Sequence, residues 1–147
     1  MPKLRRKQKP DGLGRPITIV LPRWPALFYA FGAALLVPWI VYLSFSLPTR
    51  DVSNDWDIVW VGFDAFVVAV MILTAYFAAR KSVWVILAAS TLGTAMFIDG
   101  WFDVLTAKDG KDTVQAIYLE VFGELPVALI SWYLAFHTTR QVVKSRN

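Results

Sequence analysis

The 147-residue chain has no cysteine, and its one histidine is His137. The first absence excludes a disulfide framework, a thiolate metal site and a redox dithiol. The second excludes any site built on several imidazoles. Charge is also scarce, with Asp, Glu, Lys and Arg making up 18% of the residues against about 25% in an ordinary soluble domain. None of the 15 lysines and arginines falls inside a long apolar run. Whatever negative charge those runs carry therefore has no basic neighbour in sequence.

What is present is apolar. Hydrophobic residues make up 56% of the chain and aromatic residues 15%, and the mean hydropathy is +0.49. Four windows stand out, at residues 26–47, 58–79, 83–105 and 114–136. At about 1.5 Å per helical residue each can cross a hydrocarbon core of about 30 Å. The expectation is an all-α, four-helix transmembrane bundle, preceded by a basic tail over residues 1–25 and followed by another over 137–147. The N-terminal segment MPKLRRKQKPDGLGRPITIVLPRWP is too long and polar, and the run after it too long, for a cleavable signal peptide. It is expected to be retained.

Basic residues set the topology. Lys3, Arg5, Arg6, Lys7, Lys9, Arg15 and Arg23 precede the first window, Arg80 and Lys81 join the second to the third, and Arg140, Lys144 and Arg146 follow the fourth. In a four-span protein these blocks share one side, which the positive-inside rule makes cytoplasmic. Both termini are then expected inside, in the plasma membrane. The pI near 9.5 does not indicate nucleic acid as a partner, since a basic tail beside a span rests on anionic lipid at about 1 kcal/mol per charge. The lipid bilayer is the expected partner, together with further copies of the chain or a larger membrane complex, because four spans enclose little volume.

Local signals refine the windows. Trp24 and Tyr29 suit the headgroup region, Pro25 suits a first helical position, and Pro38 removes a backbone hydrogen bond within the first span. Asp55 and Asp112 are expected N-caps for the second and fourth spans. Ala88, Ala89, Ser90, Thr91, Gly93, Thr94 and Ala95 permit close helix approach and place the third span at the bundle centre. The segment ITIVL, before the first span, is expected to lie at the interface.

Every acidic residue except Asp11 falls in the outer loops or within the spans. Asp57 and Asp64 are seven apart, whereas Asp99 and Asp103, and Glu120 and Glu124, are four apart. Those spacings put each pair on one face of an α-helix. An ionised acid at mid-membrane costs at least about 2.5 kcal/mol, so the stripes must face protein, water or an ion. Asp64, Asp99, Glu120 and Glu124 are the candidate core ligands, with Asp57 and Asp103 as an entrance. Gly100 and Trp101, between the two aspartates, are expected to point away from their stripe toward a neighbouring helix or the interface.

Two solutions to the missing positive charge follow. Either the acids hold protons as a coupled set, or a cation sits among them. All-oxygen donors favour Ca²⁺, Mg²⁺, Mn²⁺ or an alkali ion. A cation or proton site would serve transport, a channel-like path or sensing. The competing reading is an accessory or scaffold subunit whose neutral acids hydrogen-bond Tyr42, Tyr118, indole N–H groups, Ser or Thr between helices. A metalloenzyme is disfavoured, because no Ser, Cys or His nucleophile or base accompanies the acids.

The segments WVGFD, DGWFDVLTA and ELP resemble a set found in small, uncharacterised four-span membrane proteins of actinobacteria. The resemblance spans about residues 35–135 and implies the bundle architecture without an activity. The chain also resembles a voltage-sensor domain in span number and in the acids on its second and third helices. Its fourth span carries Glu120 and Glu124 where the gating arginines of such domains would stand, which removes that function.

Overall fold

The computed structural model describes residues 19–47, 54–108 and 110–146. The basic block ahead of Arg23, together with Asp11, Arg50, Asp51 and Asp109, lies outside the described residues. The elements run α1 (Trp24–Ser46), α2 (Trp56–Ala79), α3 (Val85–Thr106), α4 (Lys111–Leu119), a π-helical turn (Glu120–Glu124) and α5 (Leu125–Arg146). The last three form one span. All four spans are long and apolar enough to cross a membrane, and the expected all-α bundle is the observed architecture.

Cap chemistry matches the sequence in part. Pro25 stands in the first turn of α1, where its missing N–H has no partner to lose. Asp55 occupies the N-cap position of α2 but in a left-handed conformation, with φ 61° and no side-chain cap bond. For the fourth span the expectation shifts by two residues: Gly110, with φ 91°, takes the N-cap and Asp112 falls in the first turn. Only glycine adopts that backbone without cost. The helix also continues well past residue 136, so the expected C-terminal tail is helical as far as Arg146.

The π turn has a local cause. Pro126 has no N–H to return to the carbonyl four residues back, and its ring crowds that carbonyl. The ladder widens just upstream, where the Leu125 N–H reaches the Glu120 carbonyl five residues away. Such single-turn bulges within α-helices cluster at functional sites.

Packing divides the bundle into a closed half and an open half. The core gathers Ile19, Leu21, Tyr29 and Ala33 with Val67, Met71, Ala75, Ala78, Val85, Ala89, Leu92, Met96, Ala128 and Leu134. These come from the first half of α1, the second half of α2, the first half of α3 and α5, so the closed half lies toward the termini. Small residues explain the close approach. An added Cβ at Gly93 would stand 2.7 Å from the Trp132 indole and 3.0 Å from the Ala128 carbonyl of α5. As expected, α3 is central: half of its most apolar window is buried, against 11% for α1. Large side chains such as Phe31, Phe45, Ile58, Leu87 and Phe122 point outward, where lipid would cover them.

A second lock ties residues 19–21 to the last helix. Ile19 and Leu21 are buried while Val20 is exposed, so the described part of the ITIVL segment joins the core on alternate residues. The Val20 N–H donates to Gln141 Oε1 at 2.8 Å, and Gln141 Nε2 donates back to the Val20 carbonyl at 3.0 Å. Between α1 and α5, the fully buried Tyr29 hydroxyl and Ser131 Oγ lie 3.0 Å apart in a hydrogen bond.

Candidate functional site

Toward the α1–α2 and α3–α4 loops the helices separate around a cavity of about 700 Å³. Helical periodicity builds its walls. From α2 come Trp56, Trp60, Asp64, Val67 and Met71; from α3, Met96, Asp99, Asp103 and Thr106; from the fourth span, Asp112, Gln115, Leu119, Gly123 and Glu124. The opposite wall is α1, through Gly32, Leu36, Trp39, Tyr42, Leu43 and Ser46. Among the described residues α1 packs on α2, and its backbone makes no close approach to α4 or the π turn. The cavity holds those two elements apart.

Depth follows from the helical rise. Asp64 lies about 12 Å from the start of α2 and Asp99 about 10 Å from the end of α3, while Glu124 lies about 20 Å from the start of α4. Each of these elements is approached from the same loop end of the bundle. The acids occupy this half, and the Glu124 carboxylate meets α3 at Gly100, level with Asp99.

Asp64 and Asp99 are each 8% exposed. One carboxylate oxygen of Asp64, Oδ2, is buried with no hydrogen-bond partner, as are Oε2 of Glu120 and Oε2 of Glu124. Asp99 lies within electrostatic reach of Asp103, Asp64 and Glu120. Glu124 lies within reach of Glu120, Asp99 and Asp103. Among the described residues no lysine, arginine or histidine lines the cavity, and Lys108 and Lys111 stand at its loop end. Arg23, Arg80, Lys81, Arg140 and Lys144 sit at the other end of the bundle, before α1, in the α2–α3 turn and late in α5.

The expected residues are therefore gathered unevenly. Asp64, Asp99, Asp103 and Glu124 line one cavity, whereas Glu120 reaches the group through its contacts with Glu124 and Asp99. Asp57, expected at the entrance, is absent from the lining, and Asp112 is there instead. One oxygen of Asp57 is buried without a partner away from the cavity. Among the described residues no three or more His, Asp or Glu side chains are arranged to hold a metal ion. A hard cation such as Ca²⁺ takes about six to eight oxygen ligands at close range, and that convergence is not present for Asp64, Asp99, Glu120 and Glu124.

Gly100 completes the arrangement. It is buried, and a Cβ added there would overlap the carboxylates of both Glu120 and Glu124. The neighbour expected for Gly100 is thus the π turn of the fourth span. Sequence spacing pointed to Asp99 and Asp103 but not to the glycine between them as the seat of a second acidic pair.

Aromatic rings frame the approach from the loops. The Trp56 and Trp60 rings meet edge to face with centroids 5.5 Å apart. Across the cavity, the Trp39 and Tyr42 rings lie at 5.5 Å. All four line the cavity.

Fold and site together define a multi-pass helical membrane protein with an acid-lined cavity open at one end of the bundle. No family model, curated protein or solved structure matches the chain.

Proposed function

We propose that this chain is a plasma-membrane protein with both termini cytoplasmic, and that its cavity takes up a cation or a proton from the outer side. The protein would then act as a transporter, a channel-like path or a sensor. One observation carries the reading: Asp64 is more than nine-tenths buried with an unpartnered oxygen, on a cavity shared with Asp99, Asp103 and Glu124 and lined, among the described residues, by no basic side chain. Buried polar groups in folded proteins are normally satisfied. A site left unsatisfied by its own chain is completed by something from outside.

The scaffold reading requires the acids to be bonded to hydroxyl or indole groups of neighbouring helices. The unpartnered oxygens of Asp64, Glu120 and Glu124 argue against it. Between the two charge sources, the lack of a metal-holding group among the described residues favours a proton or a loosely held monovalent cation over Ca²⁺, Mg²⁺ or Mn²⁺.

The test is linkage. A ligand bound by the native state alone stabilises it by about 2.7 kcal/mol at a hundred times its dissociation constant. The thermal midpoint of the purified protein is expected to rise on acidification or on addition of the cation, because the native state then binds more of that ligand than the unfolded state does. Asp64→Asn and Asp99→Asn should blunt the response. A midpoint indifferent to pH and to Na⁺, K⁺, Ca²⁺, Mg²⁺ and Mn²⁺ would overturn the reading.

A further inference from the structure

The cavity is far larger than an inorganic ion needs. At about 700 Å³ it falls in the size range of pockets that enclose small organic molecules. Its chemistry is of two kinds. Asp64, Asp99, Asp103 and Glu124 supply negative charge, and Trp39, Trp56 and Trp60 supply broad π faces beside it.

That combination selects a ligand class. An anion would face the carboxylates with no lysine, arginine or histidine in the described lining to offset them, and a neutral ligand would leave the Asp64 oxygen unpaired. A small hydrated cation would leave most of the apolar wall without a partner. A positive charge carrying alkyl or aryl groups satisfies both, since carboxylates neutralise the charge while indole faces attract cations and pack against their substituents. Access suits such a ligand too. The backbones of α1 and α4 make no close approach, so side chains and not packed backbone separate the cavity from the membrane on that side.

We propose that the cavity between α1 and the fourth span binds a lipophilic organic cation, an onium ion or protonated aryl amine, with its charge against Asp64 and Asp99 and its substituents against Trp39, Trp56 and Trp60. This rests on the cation reading above and names its substrate class. The ligand lies among tryptophans, so its binding is visible in their fluorescence.

The experiment titrates tetraphenylphosphonium into the full-length protein in dodecyl maltoside and follows both tryptophan fluorescence and binding heat. The neutral isostere triphenylphosphine oxide serves as control. Saturable binding of the cation is expected, with the isostere at least about tenfold weaker. Asp64→Asn should weaken the cation by about thirtyfold or more, the effect of removing one member of a buried charge pair, and Trp60→Ala by several-fold. Asp64→Glu should recover part of the loss, which separates charge from folding.

Equal binding of cation and isostere, or an Asp64→Asn variant that binds like the parent, would overturn the proposal. So would displacement by a short-chain phosphatidylcholine at equal concentration, which would make the occupant a lipid headgroup. If tetraphenylphosphonium fails while the midpoint still responds to pH or Na⁺, the organic-cation inference falls and the cation or proton reading stands. If both responses are absent, both fall.

Discussion

Gly100 of α3 is the surface against which Glu124 rests: a β-carbon at Gly100 would overlap the Glu124 carboxylate, and that of Glu120 beside it. The atoms in the way are the far ends of flexible side chains, so an alanine would move carboxylates rather than helices. Gly100→Ala is expected to change stability by less than about 1 kcal/mol while weakening the response of the thermal midpoint to pH or cation. A large loss of stability with an intact response would contradict this placement.

Gly93 makes the opposite prediction. Its added Cβ would meet the Trp132 ring at 2.7 Å and the Ala128 backbone carbonyl at 3.0 Å, and neither can swing aside freely. Gly93→Ala should separate α3 from α5 and cost about 1 to 3 kcal/mol, as overpacked sites do. Thermal melting of the two glycine variants, side by side, measures the contrast.

How far these relationships could be read beforehand depended on what sets them. Hydropathy and length determine the four spans, because burying a polar backbone in lipid leaves a helix as the solution for each run. The closeness of α3 to its neighbours was legible in its small residues. The acids of α3 followed helical spacing, and Asp99 and Asp103 do share the cavity. Glu120 and Glu124 did not, because the four-residue rule assumes α geometry and Pro126 imposes a π turn where they stand. Asp57 does not join Asp64 either, because Trp56 and Trp60 line the wall at its level. The clamp of Val20 by Gln141 joins positions 121 residues apart, a separation no local pattern encodes.

The Tyr29–Ser131 bond is the direct polar link between α1 and α5 in the closed half. Tyr29→Phe or Ser131→Ala should each cost about 0.6 kcal/mol and at most about 1.7, the range for hydrogen bonds between membrane helices. The double variant should lose less than the two single losses combined, since each leaves the other group unpaired. A double-mutant cycle in unfolding free energy checks this, and strict additivity would mean that the bond contributes nothing.

Gln141 should hold Val20 against α5. Gln141→Ala removes both bonds to Val20, so hydrogen exchange at the Val20 amide is expected to quicken while amides within α3 keep their protection. Unchanged exchange at Val20 would show that the burial of Ile19 and Leu21 suffices alone.

The central claim is that the cavity is open to the outer solution and selects positive charge. The absence of cysteine allows one to be placed at will, and Leu43 lines the cavity from α1 without belonging to the acidic group. In intact cells, Leu43→Cys is expected to react with an impermeant cationic thiosulfonate at least about tenfold faster than with its anionic counterpart, as a cleft lined by one sign of charge requires. Asp64→Asn with Asp99→Asn should erase most of that preference. Equal rates for the two reagents, or a thiol that neither reaches from outside, would contradict the account.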